Sequence, residues 1–128
     1  MDHLDTHLFE VAKKAYDYAL ARFTHYRVGA ALLVSKDIII PGCNVESLVP
    51  SNSICAERSA LFAALAHGYK KFEKIVIVMD AKIPTLPCGS CAQLLNEFAP
   101  DIMITSYNLQ GKSRTCTLKE LLPFAHTI

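Results

Sequence analysis

Three cysteines carry most of the chemistry open to this sequence. Cys88 and Cys91 lie in Pro-Cys-Gly-Ser-Cys, and Cys55 lies well upstream in Cys-Ala-Glu-Arg. Both motifs stand where a helix is predicted to begin. Thiols three residues apart on a helix share a face and can grip one ion. A helix N-terminus carries about half a positive charge, which favours the metal-binding thiolate. Three protein ligands with one open position is the layout of a catalytic zinc site, whereas a structural site is closed by a fourth ligand. No fourth ligand stands at metal spacing: His3, His7 and His126 lie near the termini, His25 in a loop and His67 at a helix end. Each reads as a surface or packing histidine. Cys43 and Cys116 fall outside the triad and read as a buried strand residue and a loop thiol.

Glu57 follows Cys55 by two residues. At that offset a carboxylate stands beside a metal without binding it. A metal-bound water needs such a base to take its proton and pass it on. On its own, Glu57 is also a first-turn glutamate favoured by the helix dipole. Next to three thiols on a buried helix the catalytic reading prevails, because an unpaired buried carboxylate is costly without a task. Arg58 has two readings. Three thiolates leave a zinc centre with net charge −1, and a guanidinium donating to sulfur would restore its acidity. It could equally be a helix-surface arginine.

The elements that must hold these residues alternate between strand and helix. Leu8 to Ala21 has apolar groups at helical spacing. Arg27–Ser35 and Ile38–Cys43 read as strands with Lys36-Asp37 as the hairpin turn between them. Asn44–Asn52 reads as a loop. Asn52 or Ser53 can cap a helix over Cys55–His67 that Gly68 stops. That helix is apolar on nearly every side, which predicts burial on both faces. Lys74–Met79 reads as a strand. Pro87 suits the first position of a helix running to Phe98. Ile102–Ser106 is a further strand and Asn108–Gly111 a turn. Thr117 and Glu120 form a capping box for a last short helix through Leu122. The alternation implies an α/β layered domain spanning 1–128.

Bulk properties narrow the function. Of the 128 residues, 52% are hydrophobic and 20% charged, as in a compact soluble protein. Thirteen basic residues against twelve acidic give a net charge of +1, so no electrostatic footprint for nucleic acid or an anionic membrane is expected. No apolar run approaches the ~20 residues of a membrane span. The start, Met1-Asp-His-Leu-Asp, lacks a signal-peptide core. A cytoplasmic protein is expected, in which five cysteines are thiols or metal ligands and not disulfides.

Cys-Ala-Glu-Arg (55–58) followed by Pro-Cys-Gly-Ser-Cys (87–91) resembles the cytidine deaminase family. Val-Gly-Ala-Ala-Leu (28–32), Gly-Cys-Asn-Val-Glu (42–46), Gln93 with Glu97-Phe98, and Glu-Leu-Leu-Pro (120–123) extend the likeness over most of the chain. A cysteine as first ligand resembles the free-nucleoside branch. The resemblance implies a three-layer α/β/α fold with a mixed five-stranded sheet, one zinc ion per chain and a homotetramer with shared sites. It implies that Cys55, Cys88 and Cys91 bind zinc, that Glu57 shuttles protons and that Arg58 tunes the thiolates. It assigns the Ala56 N–H to the pyrimidine O2 and the Leu86 carbonyl to the 4-amino group. Asn44 and Glu46 would hold the ribose, with Phe23 and Tyr26 as aromatic groups at the substrate. The implied reaction is hydrolysis of cytidine or deoxycytidine to the uridine plus ammonia.

The chain departs from the family pattern on the sugar side. Ser47 stands where a second Asn is usual, and Pro50 lies near an expected Tyr. Arg22-Phe23-Thr24-His25-Tyr26 replaces Pro-Tyr-Ser-x-Phe, and Phe124 is the aromatic that follows Glu-Leu-Leu-Pro. Three other functions fit parts of the pattern. A deaminase of another aminated heterocycle (a modified cytidine, a nucleoside antibiotic or a free base) would keep the zinc chemistry. A redox protein would use Cys88 and Cys91 alone. A non-catalytic zinc module would close the metal with a fourth ligand.

Overall fold

The computed structural model describes residues 1–127. Four helices, α1 (His3–Tyr18), α2 (Ala56–Ala66), α3 (Gly89–Phe98) and α4 (Leu118–Leu121), accompany five strands. The strands are β1 (Val28–Ser35), β2 (Ile38–Cys43), β3 (Lys74–Met79), β4 (Met103–Asn108) and β5 (Ser113–Thr117). They form one sheet in the order β2-β1-β3-β4-β5. β3 and β4 are parallel, and the β1/β2, β1/β3 and β4/β5 pairs are antiparallel, so the sheet is mixed. A parallel pair needs a crossover, which α3 provides.

Alternation along the strands divides the core. Ala30, Leu32, Ile75, Ile77 and Ile104 pack with α2, α3 and Leu118 of α4 on one face. Ala31, Leu33, Val76 and Val78 pack with Leu8 and Ala12 of α1 on the other. The result is the three-layer α/β/α arrangement. β3 is buried from Ile75 to Met79, which is why it reads as an unbroken apolar run. Glycines let the helices approach closely on both faces. A Cβ on Gly29 would lie 2.0 Å from the Ala12 carbonyl oxygen of α1, and one on Gly42 would lie 2.5 Å from that of Ala56 in α2.

Several elements differ from the sequence expectation. α1 begins at His3, because Asp2 caps it by accepting from the Asp5 N–H at 2.7 Å. It ends at Tyr18, where the chain turns extended so that Leu20 can exchange backbone hydrogen bonds with Asn44 and Glu46. β5 was not foreseen: it is a polar edge strand, exposed from Ser113 to Thr115. α2 buries one face through Ala56, Glu57, Ala60, Leu61 and Ala64, while Phe62 is 42% exposed, so in a single chain burial on both faces does not hold. Neither Asn52 nor Ser53 caps α2; Cys55 itself is the N-cap residue. The capping box of Thr117 and Glu120 is present as read. No helix among the described residues is long and apolar enough to cross a membrane.

Candidate active site

The three thiols meet because two of them occupy helix N-cap positions. Cys55 caps α2 and Cys88 caps α3, both with extended backbone and neither with a side-chain capping bond. An N-cap side chain leans over the first helical turn. Cys88 therefore overhangs the turn that carries Cys91, which explains why α3 starts at Gly89 and leaves Pro87 outside the helix. The ligand atoms of Cys55, Cys88 and Cys91 lie within 4.8 Å of one another. Zinc–sulfur bonds of ~2.3 Å in a tetrahedron need sulfurs about 3.8 Å apart, so this donor set fits zinc with a small adjustment. Among the described residues no fourth histidine, cysteine or carboxylate joins the group. A redox role for Cys88 and Cys91 alone leaves the convergence of Cys55 unexplained, and a closed structural zinc site lacks its fourth ligand.

Electrostatics support metal binding. The Cys91 thiol hydrogen-bonds to Cys55 and draws the Cys55 pKa down to about 7, against burial and Glu57, with help from Arg58. The same bond, followed by burial, pushes the Cys91 thiol up. The neighbouring thiols and Arg58 thus favour the thiolate at Cys55, the form that binds a metal.

Glu57 is buried, with 7% of its surface exposed, in the first turn of α2. Burial raises its pKa above the ordinary carboxylate range, opposed by hydrogen bonds from its own backbone and Cys91 and by the charge of Arg58. A carboxyl group poised this way beside a metal site is suited to both accepting and returning a proton. Arg58 is not a free surface arginine. Its Nη2 donates to the Ser90 hydroxyl, tying the start of α2 to the start of α3. Its Nε is buried without a partner. A buried unpartnered N–H next to a cluster of thiols fits a donor waiting for an anionic acceptor.

A cavity of about 290 Å³ opens beside Cys55, Cys88 and Glu57. Tyr26, Asn44, Glu46, Ala56 and Leu86 also line it, so nearly all the residues singled out from sequence share one wall. Cys91 and Arg58 are not part of that lining, and neither is Phe23. Its ring is 52% exposed, lies under the Arg22 guanidinium at 5.4 Å and faces a neighbouring hollow of about 500 Å³. That hollow also holds Ser47 and Pro50, and it shares Glu46 and Ser53 with the cavity.

Asn44 and Glu46 organise the rim. Asn44 Oδ1 accepts from the Val28 N–H at 2.8 Å, and its Nδ2 donates to the Tyr26 carbonyl at 2.8 Å. Glu46 Oε1 accepts from the N–H groups of Phe23 at 2.8 Å and Thr24 at 3.0 Å, and Oε2 accepts from the Thr24 hydroxyl. These bonds, the Thr24 hydroxyl first, hold the Glu46 carboxyl below its ordinary pKa. Between Thr24 and Tyr26, His25 is left-handed (φ 61°), a conformation that non-glycine residues adopt at a cost. Sequence reasoning missed Thr24, Ser53, Thr85 and Ser90. No local signal marks Thr24, Thr85 and Ser90, because each acts through a partner distant in the chain, while Ser53 accepts from the Ser47 N–H within its own loop.

Residues 2–107 match the model of the cytidine and deoxycytidylate deaminase zinc-binding region. The chain belongs to this family. It is 38% identical over 119 residues to a cytidine deaminase from Sporosarcina psychrophila, covering 92% of this chain and 88% of the relative. It is 31% identical over 131 residues to a blasticidin-S deaminase from Bacillus cereus, covering 96% and 92%. Among solved structures, the cytidine deaminase from Burkholderia pseudomallei superposes with a TM-score of 0.91 at 39% identity, covering 98% of this chain and all of that one. The deaminase-family match takes in the three cysteines, Glu57 and the whole cavity rim, and leaves β5 and α4 beyond its end.

Proposed function

We propose that this protein hydrolyses cytidine and deoxycytidine to uridine and deoxyuridine, releasing ammonia. The observation that carries this reading is the convergence of three thiols and the buried Glu57, whose pKa is raised by burial, on one end of a single cleft. Cys55, Cys88 and Cys91 would hold one zinc ion per chain, and a zinc ion so bound supplies acidified water and Lewis acidity at the pyrimidine C4.

The chain's own groups do the rest. The Ala56 N–H at the start of α2 donates to the pyrimidine O2, where the helix dipole adds positive potential. The Leu86 carbonyl accepts from the 4-amino group and so orients the leaving nitrogen. Glu57 takes a proton from water and passes it to N3 as the hydroxyl adds to C4; it then takes the proton of that C4 hydroxyl and gives it to the amino group, which leaves as ammonia. One carboxyl serves first as base and then as acid, a task that a raised pKa suits. Asn44 and Glu46 take the ribose hydroxyls, with Tyr26 beside the base. Phe23 contributes its backbone N–H to Glu46. Arg58 offsets the thiolate charge.

The reaction balances as one nucleoside and one water giving one uridine and one ammonia. Assembly into a homotetramer, as the family resemblance implies, would cover exposed apolar groups such as Leu48 and Phe124, which are 81% and 94% exposed. Five unpaired cysteines suit a cytoplasmic setting.

A second reading is supported by the hollow beside Glu46 and by the likeness to a blasticidin-S deaminase. In it the substrate is an aminated pyrimidine nucleoside with an extension on the sugar. Ammonia release from cytidine, deoxycytidine, cytosine, 5-methylcytidine and blasticidin S separates the two, with zinc measured on the same sample. Turnover of cytidine or deoxycytidine supports the first reading. Turnover of blasticidin S alone replaces it with the second.

A further inference from the structure

We propose that Thr85 is a positioning residue that straps the Tyr26 ring against the substrate cleft. The Tyr26 and Thr85 hydroxyls are 3.1 Å apart, one donating to the other, although the residues are 59 positions apart in the chain. Tyr26 lies on the connection from α1 to β1 and Thr85 on the connection from β3 to α3. Both line the cavity, so their bond crosses its rim.

The rest of Tyr26 is already fixed. Its N–H donates to the Thr24 hydroxyl at 3.1 Å, and its carbonyl accepts from Asn44 Nδ2 at 2.8 Å. The backbone is pinned on both sides, and the side-chain torsions are the freedom that remains. The ring is 40% exposed, so packing alone does not select one rotamer. The hydroxyl contact supplies that selection. A phenylalanine at this position could not make it. Thr85 sits directly before Leu86, so the strap also ties the ring to the segment whose carbonyl faces the leaving amino group. Fixing a cleft wall before substrate arrives lowers the ordering cost of binding without touching the reacting atoms.

This inference rests on the cytidine reading for its kinetic test. One neutral hydrogen bond is worth ~0.5–1.5 kcal/mol, or about three- to tenfold in an equilibrium. Thr85→Val should therefore raise KM for cytidine about three- to tenfold with kcat within about twofold. Thr85→Ser should restore it. In a Tyr26→Phe background Thr85→Val should add nothing further. A KM unchanged by Thr85→Val, or an equal effect in both backgrounds, overturns the proposal. A substrate-free readout keeps the two readings apart: protein labelled with fluorotyrosine, its Tyr26 resonance assigned by loss in Tyr26→Phe. Thr85→Val should shift or broaden that resonance, and an unmoved resonance overturns the strap. A wild-type protein inactive on cytidine would sink the functional reading instead, and the resonance would still decide the strap.

Discussion

Gly42 of β2 lies directly beneath Ala60 of α2: a Cβ on Gly42 would stand 2.5 Å from the Ala60 amide nitrogen and 2.9 Å from its Cβ. The nitrogen is backbone and an alanine Cβ has no rotamer to change, so the conflict cannot be relieved by a side-chain rotation. Gly42→Ala should cost ~1–3 kcal/mol or more through overpacking. Because α2 carries Cys55 at its cap, zinc occupancy should fall with stability. Thermal unfolding and zinc content on the same preparation check this, and a variant with wild-type values for both would show that α2 can shift freely.

Glu57→Gln keeps the volume and removes the proton. Turnover should fall by at least ~10²–10⁴-fold while zinc stays bound, since Glu57 is not a ligand. Single-turnover assays with metal analysis would decide it. An active variant would transfer the proton role elsewhere.

Cys88→Ala removes one of the three proposed ligands and should lose zinc and stability together, since binding by a site absent from the unfolded chain adds to folding energy. The same loss should follow chelation of the wild-type protein. A well-folded, metal-replete Cys88→Ala protein would remove that thiol from the centre.

The Glu46 carboxyl is held below its ordinary pKa chiefly by the Thr24 hydroxyl, with the Thr24 and Phe23 amides behind it. A depressed folded-state pKa contributes stability above the unfolded value and loses it as pH falls through the folded value. The urea midpoint should therefore fall in acid more steeply for the wild type than for Glu46→Gln. Identical pH profiles would show that the carboxylate cage does not survive in solution.

Legibility tracked the range of the cause. β2 and β3 have the bounds read from the sequence, and for β3 the reason is that burial dictates Ile75 to Met79 locally. The three cysteines could be grouped from their motifs alone, and the fold does bring their ligand atoms within 4.8 Å of one another. β5 was not, since Ser113–Thr117 is a polar edge strand whose pairing with β4 leaves no hydrophobic period. The start of α3 was misplaced because Pro87 and Cys88 both suit a helix start, and only the need to overhang Cys91 separates them. Phe23 was placed by analogy at the substrate, but the turn at His25 sends its ring to the next hollow. Thr24 and Thr85 acquire roles only when the fold brings Glu46 and Tyr26 to them.

Glu46, Thr24, Tyr26 and Thr85 form one run of hydrogen bonds along the cleft, from Glu46, the proposed ribose contact, to Thr85. A run of this kind makes the cleft report on a ligand as a whole. A change to the sugar that disturbs Glu46 is passed to the ring beside the base, so sugar and base modifications should not contribute independently to discrimination. Selectivity measured on fragments would then understate selectivity for the intact nucleoside.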